Sequence, residues 1–291
     1  MLVVSLAFCA LVAAGVNVPG DGLARAIASR LVCAVNLGEG CGGEPSALVL
    51  EYGAEVAELV SNHVPTLEYE EGMLALPIDY RDCREVACAQ GAESGRISET
   101  NAGEPVTLFS HVVDCRDPEA PDPPWAICVG DAAGNLYLQY WAYYPDSATA
   151  PFGDAGFHPD DWESFQVRIG RPEKVEERAS SHHGYNGEGG DPINDTGWFG
   201  GKPAWTDATG RYSISSGSHA GRVGTDPADK QIRRPSAIQR MPQRWTRPED
   251  IHVIPIESFS DEWDEYEGSP DHKPAWLKDV FVYPEATGTS G

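Results

Sequence analysis

The chain has 291 residues, 41% of them hydrophobic, enough for one large domain with appendages or for two small ones. Forty-five acidic residues against 21 basic ones give a net charge of −24 and a pI near 4.5. Such a surface repels phosphate backbones, which excludes nucleic acid as a partner and suits a secreted or salt-exposed protein.

Residues 1–20 read as a membrane anchor or a signal segment. "LVVSLAFCALVAAGVNV" is uncharged, and Val12-Ala13-Ala14 offers a cleavage site. No basic residue precedes this run, while Arg25 and Arg30 follow it, so the natural start is expected upstream of Met1, with a basic segment. If uncleaved, the segment places the protein in a membrane.

Residues 21–104 read as a helical and irregular region tied by disulfides. Leu23, Ile27 and Leu31 share one helical stripe. A second helix carries Leu48, Tyr52, Val56, Leu59 and Val60, with Ser46 as its N-cap and Pro65 as its end. Cys9 lies in the apolar run, and the other cysteines are Cys33, Cys41, Cys83, Cys88, Cys115 and Cys128. This even set without C-x-x-C spacing reads as three disulfides in an oxidising compartment outside the cytoplasm. Cys33–Cys41, Cys83–Cys88 and Cys115–Cys128 close the shortest loops, among about 15 possible connectivities.

From residue 105 to 291 the texture is that of a β-sandwich with an acidic C-terminal extension. "VTLFSHVVDC", "NLYLQYWAYYP", "DWESFQVRIG", "KVEERASSHHG" and "RYSISSGSHA" are short alternating or aromatic segments separated by Gly, Pro and Asp. The predicted fold class is therefore mainly β, with a small helical, disulfide-tied N-terminal region.

The chemistry concentrates in "GFHPDDWESFQVRI". As a strand, it puts Asp161, Glu163, Phe165, Val167 and Ile169 on one face and Trp162, Ser164, Gln166 and Arg168 on the other. Two carboxylates at the rim of an apolar face repel each other and resist desolvation. A bound cation relieves both costs, with His158 as a third ligand. The alternative is an exposed strand end whose acids pair with Arg168 or Arg178. Asp146 ends the aromatic strand, His182 and His183 follow another, and His219 stands at a third strand end.

The order "YWAYYPD", "HPDDWE", "SSHHGY", "GSHAG" resembles the necrosis- and ethylene-inducing-like proteins and their fungal vacuolar-sorting-associated relatives, which share an H-x-x-D-W-E signature. Uncharacterised bacterial secreted members are the most similar. The likeness covers roughly residues 105–222. It implies a β-sandwich holding one divalent cation through Asp146, His158, Asp161 and Glu163, with His182 or His183 near the ion. Asp160 stands where the family has a second histidine, and Asp154 is a substitute should Asp146 be displaced. Nothing here resembles the host-lipid contacts of the toxins, so cytolysis does not carry over.

Carboxylate donors favour Mg²⁺, Ca²⁺ or Mn²⁺ over Zn²⁺, and convergence of His182 and His219 would shift the choice towards Mn²⁺ or Zn²⁺. Three roles follow. The first is an extracytoplasmic module, secreted or anchored, that binds a glycan or lipid head group through its ion. The second is a metal-assisted hydrolase with His182, His183 and His219 as candidate catalytic residues. The third is a surface protein whose ion only stabilises it. Trp198 and Trp205 either stack on sugars or cover a loop. Asn194 opens a glycosylation sequon, and no Gly-x-Ser-x-Gly, phosphate-loop or dinucleotide motif is present.

Overall fold

The computed structural model describes residues 45–70, 75–116, 128–147, 158–172, 174–181, 184–186, 205–215, 219–224, 244–268 and 272–286. The apolar segment 1–20, Cys33, Cys41, Asp154, His182, His183, Asn194 and Trp198 lie outside them. Among the described residues no helix is long and apolar enough to cross a membrane.

The described residues divide between Glu58 and Leu59 into two units. Helix α1 spans Ala47–Asn62 and begins as its sequence predicts. The Val49 N–H donates to Ser46 Oγ (3.3 Å) and the Leu50 N–H to the Ser46 carbonyl (3.0 Å). Gly53, at φ +78, interrupts the helical backbone, a conformation that glycine alone adopts without strain.

Twelve strands follow among the described residues. They are β1 (Thr66–Tyr69), β2 (Gly95–Arg96), β3 (Thr107–Asp114), β4 (Leu136–Ser147), β5 (His158–Gly170), β6 (Lys174–Ser181), β7 (Gly184–Asn186), β8 (Thr206–Asp207), β9 (Arg211–Ile214), β10 (Gly221–Val223), β11 (Arg244–Thr246) and β12 (His252–Pro255). One sheet of five strands has the order β10-β9-β1-β11-β2. The other has seven, in the order β12-β3-β4-β5-β6-β7, with β8 also on β6. Both are mixed: β1 runs parallel to β9, β2 to β11 and β12 to β3, while the other neighbours are antiparallel. The fold is mainly β, as expected. Because β1 and β2 belong to the smaller sheet, the sandwich also draws on residues before 105.

The long antiparallel pair β4–β5 is buried on both faces. Leu138, Tyr140 and Tyr144, with Phe165 and Val167, point one way, where Phe165 meets Tyr212 of β9 (ring centroids 5.4 Å). Trp141, Tyr143 and Trp162 point the other way, into a cluster with Phe109, Ile254, Ile256, Phe259, Trp276, Val280 and Phe281. The C-terminal part is thus no mere acidic extension. Its apolar residues cover the outer face of the larger sheet, while acids such as Asp261, Glu262, Asp264 and Glu265 remain exposed. Buried polar side chains fasten this cover. Gln139 Nε2 donates to the Val280 carbonyl (2.9 Å) and Arg178 to that of Pro284. Tyr137 Oη donates to Glu285 Oε1 (2.6 Å).

Cys83–Cys88 and Cys115–Cys128 are disulfides, matching two of the three expected short loops; Cys33 and Cys41 lie outside the described residues. A core-forming cover predicts that Phe259→Ala lowers the free energy of unfolding by about 3–5 kcal/mol. Urea denaturation measures this, and a loss below about 0.5 kcal/mol, typical of a surface change, would mean the segment is peripheral.

Candidate functional site

The strand register realises the predicted alternation where the chemistry lies. Tyr144 faces Asp161 and Ala142 faces Glu163 across β4–β5, so both carboxylates point to the inner face. They are not at an exposed strand end: Asp161 is 6% and Glu163 4% exposed. The expected pairing with Arg168 or Arg178 is also absent, for a geometric reason. Gln166 and Arg178 are cross-strand partners on the outer face, where Arg178 Nε donates to Gln166 Oε1 (2.9 Å). Arg168 is engaged by Glu176 (2.6 Å) and Glu285 (2.8 Å).

His219 comes to the acids from the turn before β10. Its Nδ1–H donates to Asp161 Oδ2 (2.8 Å), and its ring stacks on Tyr144 (3.9 Å, 13°). The residue is 2% exposed and has φ +52, an uncommon backbone state that histidine tolerates better than most. Gly221, two residues on, lies so close to the Tyr212 ring that a Cβ there would sit 2.1 Å from it. The turn is thus pressed against the core, and His219 is held over Asp161. With Nδ1 committed to a carboxylate, the ring orients Asp161 and keeps Nε2 as its remaining functional nitrogen.

Glu163 accepts a hydrogen bond from Ser180 Oγ of β6, and Ser180 Oγ in turn accepts from the Ser164 N–H (2.6 Å). Burial, reinforced by the neighbouring Asp161, pushes the Glu163 carboxyl up to about 8, against the opposing pull of Lys278 and Ser180. Lys278 is buried at 6% exposure, and its Nζ donates to the Trp162 carbonyl (2.7 Å), between the two acids in sequence. Burial pulls its ammonium below the usual lysine range, although Glu163 and Asp161 act in the opposite direction.

The remaining predicted residues are placed differently. Asp146 is half-buried opposite Pro159, one strand pair beyond Tyr144–Asp161. The His158 ring stacks on His272 (3.5 Å, 9°), and its Nδ1 lies 3.2 Å from the Pro159 carbonyl. Asp160 does not add a third acid to the inner face. At φ +59 it accepts from Arg84 Nη2 (2.6 Å) and Tyr143 Oη (2.9 Å). Trp205 serves as a cover: its ring lies against the guanidinium groups of Arg168 (4.6 Å) and Arg178 (4.4 Å).

Among the described residues no group of three or more His, Cys, Asp or Glu side chains is placed to hold a metal ion. The donor chemistry nevertheless suits a hard divalent cation, since Asp161 and Glu163 are oxygen donors side by side and His219 orients one of them. Tyr144 Oη, on the same face, is a buried polar atom with no hydrogen-bond partner, which marks this part of the core as polar but incompletely satisfied. The sequence reading missed Lys278, Ser180 and Tyr144. A lysine set among Trp276, Leu277, Val280 and Phe281 is the one signal that pointed to a buried charge.

No protein-family model matches the chain, and no curated protein matches it in sequence. Three solved structures are similar to it in backbone, each at 14% identity. One is described as a toxin fold for microbial attack and plant defense, with TM-score 0.36 over 77% of this chain and 84% of that one. Another is NLPPya in complex with mannosamine, with TM-score 0.35 over 76% and 84%. The third is Necrosis and Ethylene inducing Protein 2 from the causal agent of cocoa's witches' broom disease, with TM-score 0.30 over 65% and 72%.

A carboxyl whose folded pKa lies above its unfolded value favours folding while protonated. For Glu163 that contribution is complete below about pH 4.5 and is lost as pH rises to about 8. In chelator, Glu163→Gln should therefore gain thermal stability relative to the parent between pH 5 and pH 8, followed by calorimetry. A difference that stays constant across this window would show that Glu163 does not titrate there.

Proposed function

We propose that this chain is an extracytoplasmic binding module in which Asp161 and Glu163 hold one divalent cation that organises a site for a glycan or lipid head group. The observation that carries the reading is the pair of adjacent carboxylates, both more than nine-tenths buried on the inner face of β5. Two such groups side by side are costly to bury unless one keeps its proton or positive charge is supplied. The bacterial secreted branch of the H-x-x-D-W-E superfamily is the family we infer, from His158, Asp161, Trp162 and Glu163.

The ligand set differs from the one the resemblance implies. Asp161 and Glu163 are the direct ligands, His219 positions Asp161, and Asp146 and His158 stand nearby at the ends of β4 and β5. A two-carboxylate site suits Mg²⁺ or Mn²⁺, which keep several positions for water and for a ligand's own oxygens. When bound, such an ion supplies charge neutralisation and open positions for hydroxyl, carboxylate or phosphate oxygens. Ser180 holds Glu163 in place, and the Tyr144–His219 stack fixes the other side of the pair. The Cys83–Cys88 and Cys115–Cys128 disulfides support a location outside the cytoplasm, whether the protein is secreted or anchored by its N-terminal segment.

Metal content by mass spectrometry tests the reading on the oxidised protein and on an Asp161→Ala, Glu163→Ala variant. About one Mg²⁺ or Mn²⁺ per parent chain and none in the variant is the expected result, with glycan-array or vesicle binding abolished by chelator. Vesicles or glycans bound equally with and without chelator would detach binding from the ion. Turnover of an ester, phosphoester or glycoside by the loaded protein would favour the hydrolase reading over the binding module.

A further inference from the structure

The polar core of this fold holds a second charged group that no metal reading requires. Lys278 projects from the C-terminal cover at the start of the short helix α2 (Asp279–Val282), and its Nζ ends on the Trp162 carbonyl (2.7 Å). Trp162 is the residue between Asp161 and Glu163, so the ammonium is brought to the strand at the position of the acid pair. The Trp141 ring lies 5.9 Å from Nζ on another side. Lysine is almost never buried to this degree without a compensating anion.

The backbone that carries Lys278 is held firmly. Gln139 Nε2 donates to the carbonyls of Val280 (2.9 Å) and Phe281 (3.3 Å), and His111 Nε2 lies 3.0 Å from the Phe281 carbonyl. Further along, Glu285 accepts from Tyr137 (2.6 Å), Arg168 (2.8 Å) and Trp205 (2.8 Å). The ammonium is therefore a tethered cation whose freedom lies in its side chain, since the cover beneath it is pinned on both sides.

We infer that Lys278 is a built-in counter-cation for the Asp161–Glu163 pair, and that its ammonium and a divalent ion compete for the same two carboxylates. This rests on the metal reading above and adds its regulation. With both carboxylates ionised, as ion binding requires, two anions and one ammonium leave one excess negative charge. A divalent ion alone balances the pair, whereas ion and ammonium together overshoot it in a poorly screened interior. Ion uptake therefore requires the Lys278 side chain to withdraw from the pair. Lys278 sets the threshold ion concentration at which the site loads.

The test is calorimetric titration of Mg²⁺ and Mn²⁺ into the parent, Lys278→Met and Lys278→Arg proteins, each checked for folding by near-UV circular dichroism. The Met variant should bind about tenfold tighter or better, which is about 1.4 kcal/mol, and the Arg variant no tighter than the parent. The Met variant should also melt lower in chelator and recover with saturating ion. Binding by the Met variant alone would uphold the competition while ending the metal reading for the natural chain. Equal affinity in parent and Met variant, or no binding by either folded protein, would overturn the competition. Should the Met variant not fold, the ¹⁵N resonance of the parent's Lys278 ammonium decides the matter: Mg²⁺ loading should shift it, and an unmoved resonance in loaded protein overturns the inference.

Discussion

The burial of the β4–β5 pair from both faces is the constraint on which the rest of the structure depends. A strand covered on one side alternates polar and apolar residues; a strand covered on both has nowhere to send a polar group except to a partner. Most buried polar side chains on these strands are consequently tied, Tyr144 Oη being an exception. Gln139 accepts from Trp141 Nε1 and donates to the C-terminal cover, Gln166 receives Arg178, and Ser164 and Glu163 share Ser180. The same pressure brings His219 to Asp161 and Lys278 to the Trp162 carbonyl from two different parts of the chain.

The strongly acidic composition therefore has two components of different physical kind. Many of the described acids are solvated or meet arginines at the surface, as Glu249 and Asp250 do with Arg96, and such pairs contribute little to stability. Others are withdrawn from water: Glu68, Asp79 and Asp160 are buried against Arg211, Arg81 and Arg84, and Asp161, Glu163 and Glu177 are buried as well. Glu177 answers its burial with the N–H groups of Thr209 (2.7 Å) and Gly210 (2.9 Å), which leaves its carboxylate well satisfied without any cation. No such ring of backbone amides surrounds Asp161 and Glu163 in the contacts described, and this contrast is what sets them apart as a site.

Much of the site was legible because strand alternation is a local property. Asp161 and Glu163 on one face, the Ser46 cap and the short-loop disulfides all follow from residues close in sequence. What was not legible depends on distant contacts. Lys278 reaches Trp162 and Phe259 reaches the Phe109–Trp162 cluster only after the chain has folded back on itself. Alternation puts Asp160 on the face of Trp162 and Tyr143, but its pairing with Arg84, 76 residues away, could not be read from a local pattern. Arg168 and Arg178 lie close to the acids in sequence, but their position on the opposite face rules them out as partners, and for Arg168 alternation alone shows this.

The position of the cover along the chain sets the order in which the molecule can be made. β12 lies parallel to β3 across more than a hundred residues of intervening sequence, and Trp276, Val280 and Phe281 close the outer face only from the far end of the chain. A polypeptide still emerging from a ribosome or an export channel has its most aromatic strand pair exposed until residue 281 is out. Such long-range closure is slow and leaves sticky surface open in the interval. The abundant like charge along the chain keeps such unfinished molecules apart until the segment from His252 to Phe281 has followed.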